Sequence, residues 1–309
     1  MNAPGPLLVV GSVAYDDVET AYGKRENLLG GSATYFSVAA SGFTAPRLVG
    51  VVGRDFGSGD KHIFDSHGVD TTGLVIDPSG DTFRWGGRYH ADMNQRTTLY
   101  THLNVFERFR PAIPETYADS EYVFLGNIDP DLQLDVLGKV RAPKFVAMDT
   151  MNFWIDGKRD AVLRVLSRVE AILLNDEEGS LLTGARTALG VGRGIQRLGP
   201  PIVVLKRGEH GALLFHHNDI FYVPAYPLEV VVDPTGAGDS FAGGFMGWLA
   251  RSGDLTLDNL RRCMLAGSIM ASFCVEGFGL SQLRDVGPDA IRRRYTDFEA
   301  LTRCPSLNL

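Results

Sequence analysis

The sequence predicts an α/β fold in three layers, with a mostly parallel central sheet between helices and a small extra β-sheet attached. Three observations predict it. Short apolar runs alternate with helix-length segments over most of the 309 residues, the signature of a parallel sheet covered on both faces. Those runs are apolar throughout, as in strands buried on both sides. One region, residues 71–103, breaks the alternation with aromatic and β-branched residues set around a turn, a hairpin pattern.

The elements follow in order. Residues 6–12 (PLLVVGS) read as a buried strand ending at a glycine. Residues 30–42 (GGSATYFSVAASG) open on a glycine pair and continue at helical spacing, and 47–52 (RLVGVV) form the next strand. A helix over 60–67 closes at Gly68. Residues 17–28 carry no helix signal and join the hairpin TFRWGGRYH–ADMN–QRTTLYTHLNVF as a β appendage. Strands at 122–125, 144–148, 171–174 and 202–205 then alternate with helices at 132–140, 158–167, 179–183 and 186–198. The expected division is a core of 1–14, 31–70 and 104–309 and an appendage of 15–30 and 71–103. Ligands of such sheets bind beyond the carboxyl ends of the strands.

Composition excludes several classes. Hydrophobic residues are 44% and charged residues 22%, with a formal net charge of -7. This is globular composition without the basic footprint of a nucleic-acid or membrane-surface binder. Three widely spaced cysteines, Cys263, Cys274 and Cys304, argue against a disulfide framework. The N-terminal run lacks a basic segment and soon meets Asp16 and Asp17, unlike a signal peptide. The longest uncharged apolar stretch, 264–275, is short of the roughly 20 residues that span a bilayer. The expectation is a cytoplasmic protein without nucleic-acid or membrane partners.

The sharpest motif is DPTGAGDSFAGGF, which starts at Asp233. Its glycines permit a tight turn, and Phe241, Phe245 and Trp248/Leu249 recur at helical spacing after it. A glycine turn opening a helix presents unpaired N–H groups and the positive dipole end to an anion. Asp239 lies in that turn. A base beside an anion site is what phosphoryl transfer to an alcohol requires. The plainer alternative is a helix cap above an ordinary turn.

This stretch resembles the C-terminal signature of the ribokinase-like (PfkB) family of sugar and nucleoside kinases. GGSATYFSVAASG followed by RLVGVVGRDFG resembles the N-terminal one, and the likeness runs along nearly the whole chain. The resemblance implies a ribokinase-like α/β/α fold whose appendage is a lid over the sugar site. Asp239 would be the base that takes the acceptor proton, with Gly236, Ala237 and Gly238 as the anion hole. Asp16, five residues after Gly11, falls where the family places a carboxylate gripping substrate hydroxyls, and Gly30 and Gly31 would let backbone approach the sugar. Tyr35 stands where the family usually has an Asn, so the usual sugar contact is altered.

Asn175 and Glu178 match the family's N-x-x-E element near the magnesium and phosphates, Glu178 acting on Mg2+ through water; as plain chemistry they are also a helix start. Lys206, Gly208 and Gly211 would lie near ATP, with Lys206 a surface charge in the bland reading. Residues 271–281 resemble the loop over the adenine, and Asp233 and Thr235 would help hold a monovalent cation such as K+. Lid sheets of the family often pair between subunits, which makes a homodimer through the lid an expectation.

Position alone adds Asn127 and Asp129, and Asp149 and Asn152, which follow strands and face the cleft or serve turns. Arg84, Arg88 and Arg96 lie in the lid, by default solvating it. Tyr35, Phe36, Trp85, Tyr89, Phe106 and Trp154 can line an acceptor pocket or fill the core. No P-loop, G-x-S-x-G or H-E-x-x-H occurs. His216 and His217, adjacent on a strand-like segment, should point to opposite faces. The Gly190, Gly192, Gly194 cluster lacks a preceding strand and makes a poor dinucleotide site. The expected activity is ATP-dependent phosphorylation of a primary hydroxyl of a sugar. The alternatives are a nucleoside kinase on the same fold and a non-catalytic sugar- or nucleoside-binding protein.

Overall fold

Residues Leu7–Val10 (β1) lie near the middle of a nine-stranded sheet, and the computed structural model, which describes residues 4–303, builds outward from them. The chain next forms β2 (Ala14–Thr20), β3 (Gly23–Gly30), α1 (Ser32–Ala40), β4 (Pro46–Gly53), α2 (Ser58–Ser66), β5 (Asp70–Asp77), β6 (Phe83–Tyr89) and β7 (Arg96–His102). It continues through β8 (Tyr122–Leu125), α3 (Pro130–Lys139), β9 (Phe145–Met148), α4 (Asn152–Gly157), α5 (Arg159–Leu166) and β10 (Ala171–Asn175). Then come α6 (Asp176–Thr183), α7 (Ala188–Gln196), β11 (Ile202–Lys206), β12 (Ala212–His216), β13 (Asp219–Val223), α8 (Ala237–Ser252), α9 (Leu257–Cys274) and α10 (Pro288–Thr302).

The main sheet has the order β13-β12-β11-β10-β9-β8-β1-β4-β5. Its strands from β11 to β5 are parallel, while β12 and β13 return antiparallel at one edge. Chain order runs outward from β1 in both directions, so the crevice beyond its carboxyl end is a topological switch point. Alternation along β1 divides the layers. Leu7 and Val9 pack with Phe36, Phe245 and Met246 under α1 and α8, whereas Leu8 and Val10 pack with Val136 and Val162 under α3 and α5. Full burial of each contributes about 1.5–3 kcal/mol, which is why this run forms a strand only with helices on both sides.

The second sheet, β3-β2-β6-β7, is the expected β appendage. One boundary differs from the expectation. Residues 71–77 fall within β5, which pairs with β4 in the main sheet, so the lid's second segment starts after it. Val75 and Ile76 leave this edge strand exposed, and the resulting polar–apolar mixture reads in sequence as hairpin.

Other elements were not legible: α4, α9, α10 and β13, with β12 read only as the strand-like segment at His216. Residues 271–274 belong to the end of α9, so the loop expected over 271–281 starts only at Val275. His216 ends β12 and His217 turns left-handed at φ 50°. Their rings therefore sit side by side, centroids 4.3 Å apart, and not on opposite faces. Gly192 and Gly194 lie on α7, where Gly192 faces the Phe215 ring and makes a packing contact. Cys263 and Cys274 are buried free thiols, and Cys304 lies outside the described residues. Among the described residues no helix is long and apolar enough to cross a membrane.

Candidate active site

The turn before α8 requires glycine for two reasons. Gly236 is left-handed, with φ 76° and ψ 0°, a conformation that costs other residues roughly 1–2 kcal/mol. A Cβ there would also lie 2.3 Å from Cγ of Tyr35, whose buried ring backs the turn. The first N–H groups of a helix lack intrahelical partners. That of Ala237 donates to the Pro234 carbonyl at 3.2 Å, which leaves Gly238 and Asp239 at the front of the expected anion hole. Asp239 is half-buried in the first turn of α8.

Four titratable groups from separate elements meet beside this turn. Asp149 follows β9, Glu178 lies in α6, Lys206 ends β11 and Asp239 opens α8. The Lys206 ammonium lies 3.5 Å from the Asp149 carboxylate, both nearly enclosed. A Cβ on Gly238 would come within 2.9 Å of Lys206 Nζ, so glycine keeps the cation against the turn. Burial, then the charge of Asp149, pushes the Asp239 carboxyl up to about 7 against the opposing pull of Lys206 and Arg96. Burial and Asp149 likewise push Glu178 up to about 7. Burial pulls the Lys206 ammonium down, but Asp149, Glu178 and Asp239 outweigh it and keep it charged.

Asp16 faces the site from β2. It is 4% exposed, and a Cβ on Gly30 would lie 2.0 Å from its Oδ2. Burial, then Asp233, raises its carboxyl to about 8, against the Gly31 N–H that favours the charged form; Asp239 adds to the rise. Gly31 starts α1 at φ 91°, where a Cβ would meet the Ser12 carbonyl at 2.5 Å. Ser12 and Ser32 exchange hydrogen bonds, each backbone N–H donating to the other's Oγ at 3.2 and 3.0 Å. This clasp joins the end of β1 to α1 and fixes the glycines beside Asp16.

The second sheet reaches the cluster. The Thr235 hydroxyl donates to Tyr89 Oη at 3.2 Å. At the hairpin tip Asn94 Oδ1 lies 2.6 Å from where a Cβ of Gly208 would be. Arg96 spans the Trp85 ring at 5.9 Å, and its charge acts on Asp239 and Glu178. Arg84 and Arg88 are engaged elsewhere, Arg84 with Asp55 at 3.2 Å and Arg88 with Glu19 at 3.0 Å.

The remaining candidates divide. Asn175 caps α6: its Oδ1 accepts the Glu178 N–H at 2.9 Å while Glu178 Oε2 accepts the Asn175 N–H at 2.8 Å. The other Glu178 oxygen has no such duty, so cap and water-mediated magnesium ligand are compatible roles, one carboxylate being what a hydrated Mg2+ uses. Asp233 is fully buried and accepts the N–H groups of Thr235 at 2.9 Å and Gly279 at 3.0 Å, which ties the turn to the 275–281 loop. Asn127 accepts from the Trp154 indole at 3.0 Å and donates to Met151 Sδ at 3.1 Å. Asn152 begins α4 with a buried, unpartnered Oδ1. Gly211 is left-handed at φ 73°, and a Cβ there would lie 2.1 Å from the Val223 carbonyl.

Phe36 stacks on Phe124 at 4.5 Å and Phe106 on Phe83 at 5.3 Å, both as packing. The reach of Arg96, the Thr235–Tyr89 bond and the Ser12–Ser32 clasp were not foreseen. They depend on how the lid and α1 fold back, and only the paired serines beside the glycine turns left a trace in the sequence.

The sequence model of the pfkB family carbohydrate kinases matches residues 7–285. The chain is 32% identical over 254 residues to a cytidine kinase of Thermococcus kodakarensis, covering 79% of this chain and 88% of that one. It resembles in fold an E. coli protein described as a ribokinase II, solved with ATP and Mg2+, at TM-score 0.80, 19% identity and coverage of 95% and 99%. The nucleoside kinase of Burkholderia thailandensis in complex with inosine superposes at TM-score 0.76, 20% identity and coverage of 96% and 98%.

Proposed function

The chain belongs to the pfkB family of carbohydrate kinases, and from that footing we propose that it transfers the γ-phosphoryl group of ATP to a primary hydroxyl of a ribosyl acceptor. The observation that carries the reading is Asp239, held in the first turn of α8 behind the Gly236 turn, within charge range of Asp16 across the cleft. Asp16 would grip acceptor hydroxyls and Asp239 would take the proton of the attacking one. As that oxygen bonds to phosphorus, the bond to the β-phosphate oxygen breaks and ADP leaves. The N–H groups of Gly238 and Asp239, with Lys206, would hold the phosphoryl oxygens. Glu178 would hold Mg2+ through its bound water, and the ion would supply charge to neutralise the phosphates. Closure of the lid, through Tyr89 and Arg96, would exclude water that could otherwise accept the phosphoryl group.

Among ribosyl acceptors a nucleoside is favoured over the free sugar first expected. The support is the 32% identical cytidine kinase; Tyr35, standing where the family usually has an Asn, removes the usual sugar contact, its ring being buried behind Gly236. A purely binding role is disfavoured, because Asp239, the glycine turn and the Lys206 cation all stand together. ATP consumption over a panel of cytidine, inosine, adenosine, ribose, fructose and 2-dehydro-3-deoxygluconate tests this. Turnover with a nucleoside at kcat/KM well above the free sugars is expected. Turnover with the sugars alone overturns the nucleoside reading, and no turnover with any acceptor overturns the kinase reading.

A further inference from the structure

We propose that Asp149 is a positioning residue that holds the Lys206 ammonium at the Gly238 turn, where it meets the migrating phosphoryl group, and keeps it from pairing with the base. The inference rests on the phosphotransfer reading above. It starts from strand order. β10 lies between β9 and β11, and neighbouring strands are about 4.8 Å apart. Lys206 at the end of β11 therefore crosses the end of β10 to reach Asp149 after β9, where it could have bent to solvent.

Asp149 is fixed before the lysine arrives. Its N–H donates to the Leu125 carbonyl at 2.9 Å, and its carbonyl accepts from Gln133 Nε2 at 3.0 Å. Gln133 is itself buried and also donates to the Gly126 carbonyl at 2.9 Å. Asp149 Oδ1 accepts the Thr150 N–H at 2.7 Å, which leaves Oδ2 for Lys206 at 3.5 Å. On the other side the ammonium rests against Gly238.

Three carboxylates, Asp149, Glu178 and Asp239, act on this one ammonium. A lysine paired with Asp239 would occupy the oxygen that must receive the acceptor proton, and one paired with Glu178 would compete with a metal. Asp149 has neither duty, and nothing else in the reaction requires a buried carboxylate at this strand end. Its charge also acts on Asp239, beside the opposing charges of Lys206 and Arg96, while Asp16 and the neutral, buried Cys274 thiol face Asp239 from the other elements, so its removal reaches the base by two routes.

The test is a double-mutant cycle in the full chain with Asp149→Asn, Lys206→Met and both, scored for kcat and for both KM values. Asp149→Asn should lose about ten- to a hundredfold in kcat through misplacement of the cation. Lys206→Met should lose about a hundred- to a thousandfold through loss of a preorganised donor. KM values should stay within a few-fold, and the double variant should be no slower than Lys206→Met. Losses that multiply in the double variant, or an Asp149→Asn enzyme with unchanged kcat, overturn the proposal. A second readout is independent of turnover: labelling of Lys206 by trinitrobenzenesulfonate, followed by peptide mass spectrometry. Faster labelling in Asp149→Asn, or in Asp149→Ser where the Asn variant does not fold, supports it, and an unchanged rate overturns it. Absence of wild-type turnover would defeat the phosphotransfer reading, whereas a multiplicative cycle in a working enzyme defeats only the role of Asp149.

Discussion

The ring of Tyr35 stands directly behind Gly236, so close that a single added carbon on the glycine would lie 2.3 Å from the ring. Two segments two hundred residues apart in the chain thus share one van der Waals surface, and the shape of the turn before α8 depends on both. The contact explains how an aromatic residue can occupy this position of α1 without blocking the front of the turn.

Gly236→Ala should be doubly penalised, by left-handed backbone at roughly 1–2 kcal/mol and by overpacking at about 1–3 kcal/mol. The expected outcome is a lower Tm and a loss of kcat of about a hundredfold or more, because the donors of the turn move. A variant with wild-type kcat would show that the turn does not bear on the reaction. Tyr35→Phe is the control. It removes a buried hydroxyl without a partner, so Tm should hold or rise.

Asp239→Asn should cut kcat by about a hundred- to ten-thousandfold while nucleotide binding, measured by calorimetry, is retained. The carboxyl is pushed up to about 7, and a base works only when deprotonated. Wild-type kcat/KM should therefore fall as pH drops through about 7. A flat profile between pH 6 and 8 would contradict the assignment.

Stability of the ligand-free protein should run the other way. Asp16 at about 8, with Asp239 and Glu178 at about 7, are raised above the ordinary carboxylate value. The folded state then binds more protons than the unfolded one between about pH 4 and 8. Their contribution is complete at the acid end of that window and is lost as pH rises through it. Tm should fall from pH 5.5 to pH 8, by a smaller amount in Asp16→Asn. Thermal scans across that range check it, and an equal slope in both proteins would count against a buried, proton-holding Asp16.

Arg96→Ala removes a cation that favours the charged form of Asp239 and Glu178. The acid limb of the pH–rate profile should move to higher pH and kcat should fall about tenfold or more. Arg88→Ala, which breaks an exposed pair with Glu19, should leave both nearly unchanged. Equal effects of the two would mean that Arg96 serves the lid alone.

Much of the fold is determined by local sequence. Apolar runs such as LLVV and YVFL can be satisfied only between two helical layers, and DPTGAGDSF specifies a glycine turn opening a helix wherever it is placed. The glycine turn carrying Asp239 and the Asn175–Glu178 cap were legible for that reason, since each depends on neighbours within a few residues; the pocket around Asp16 is made by Gly30, Gly31 and Asp233, which are distant in the chain. Tertiary structure decided the rest. Whether 71–77 joins the lid or the main sheet depends on β4 offering a free edge, which no local pattern records. The partner of Lys206, the closeness of Tyr35 to Gly236 and the reach of Arg96 join residues from distant strands and helices. Charge and packing act through space, and the chain's order along its length does not carry those distances.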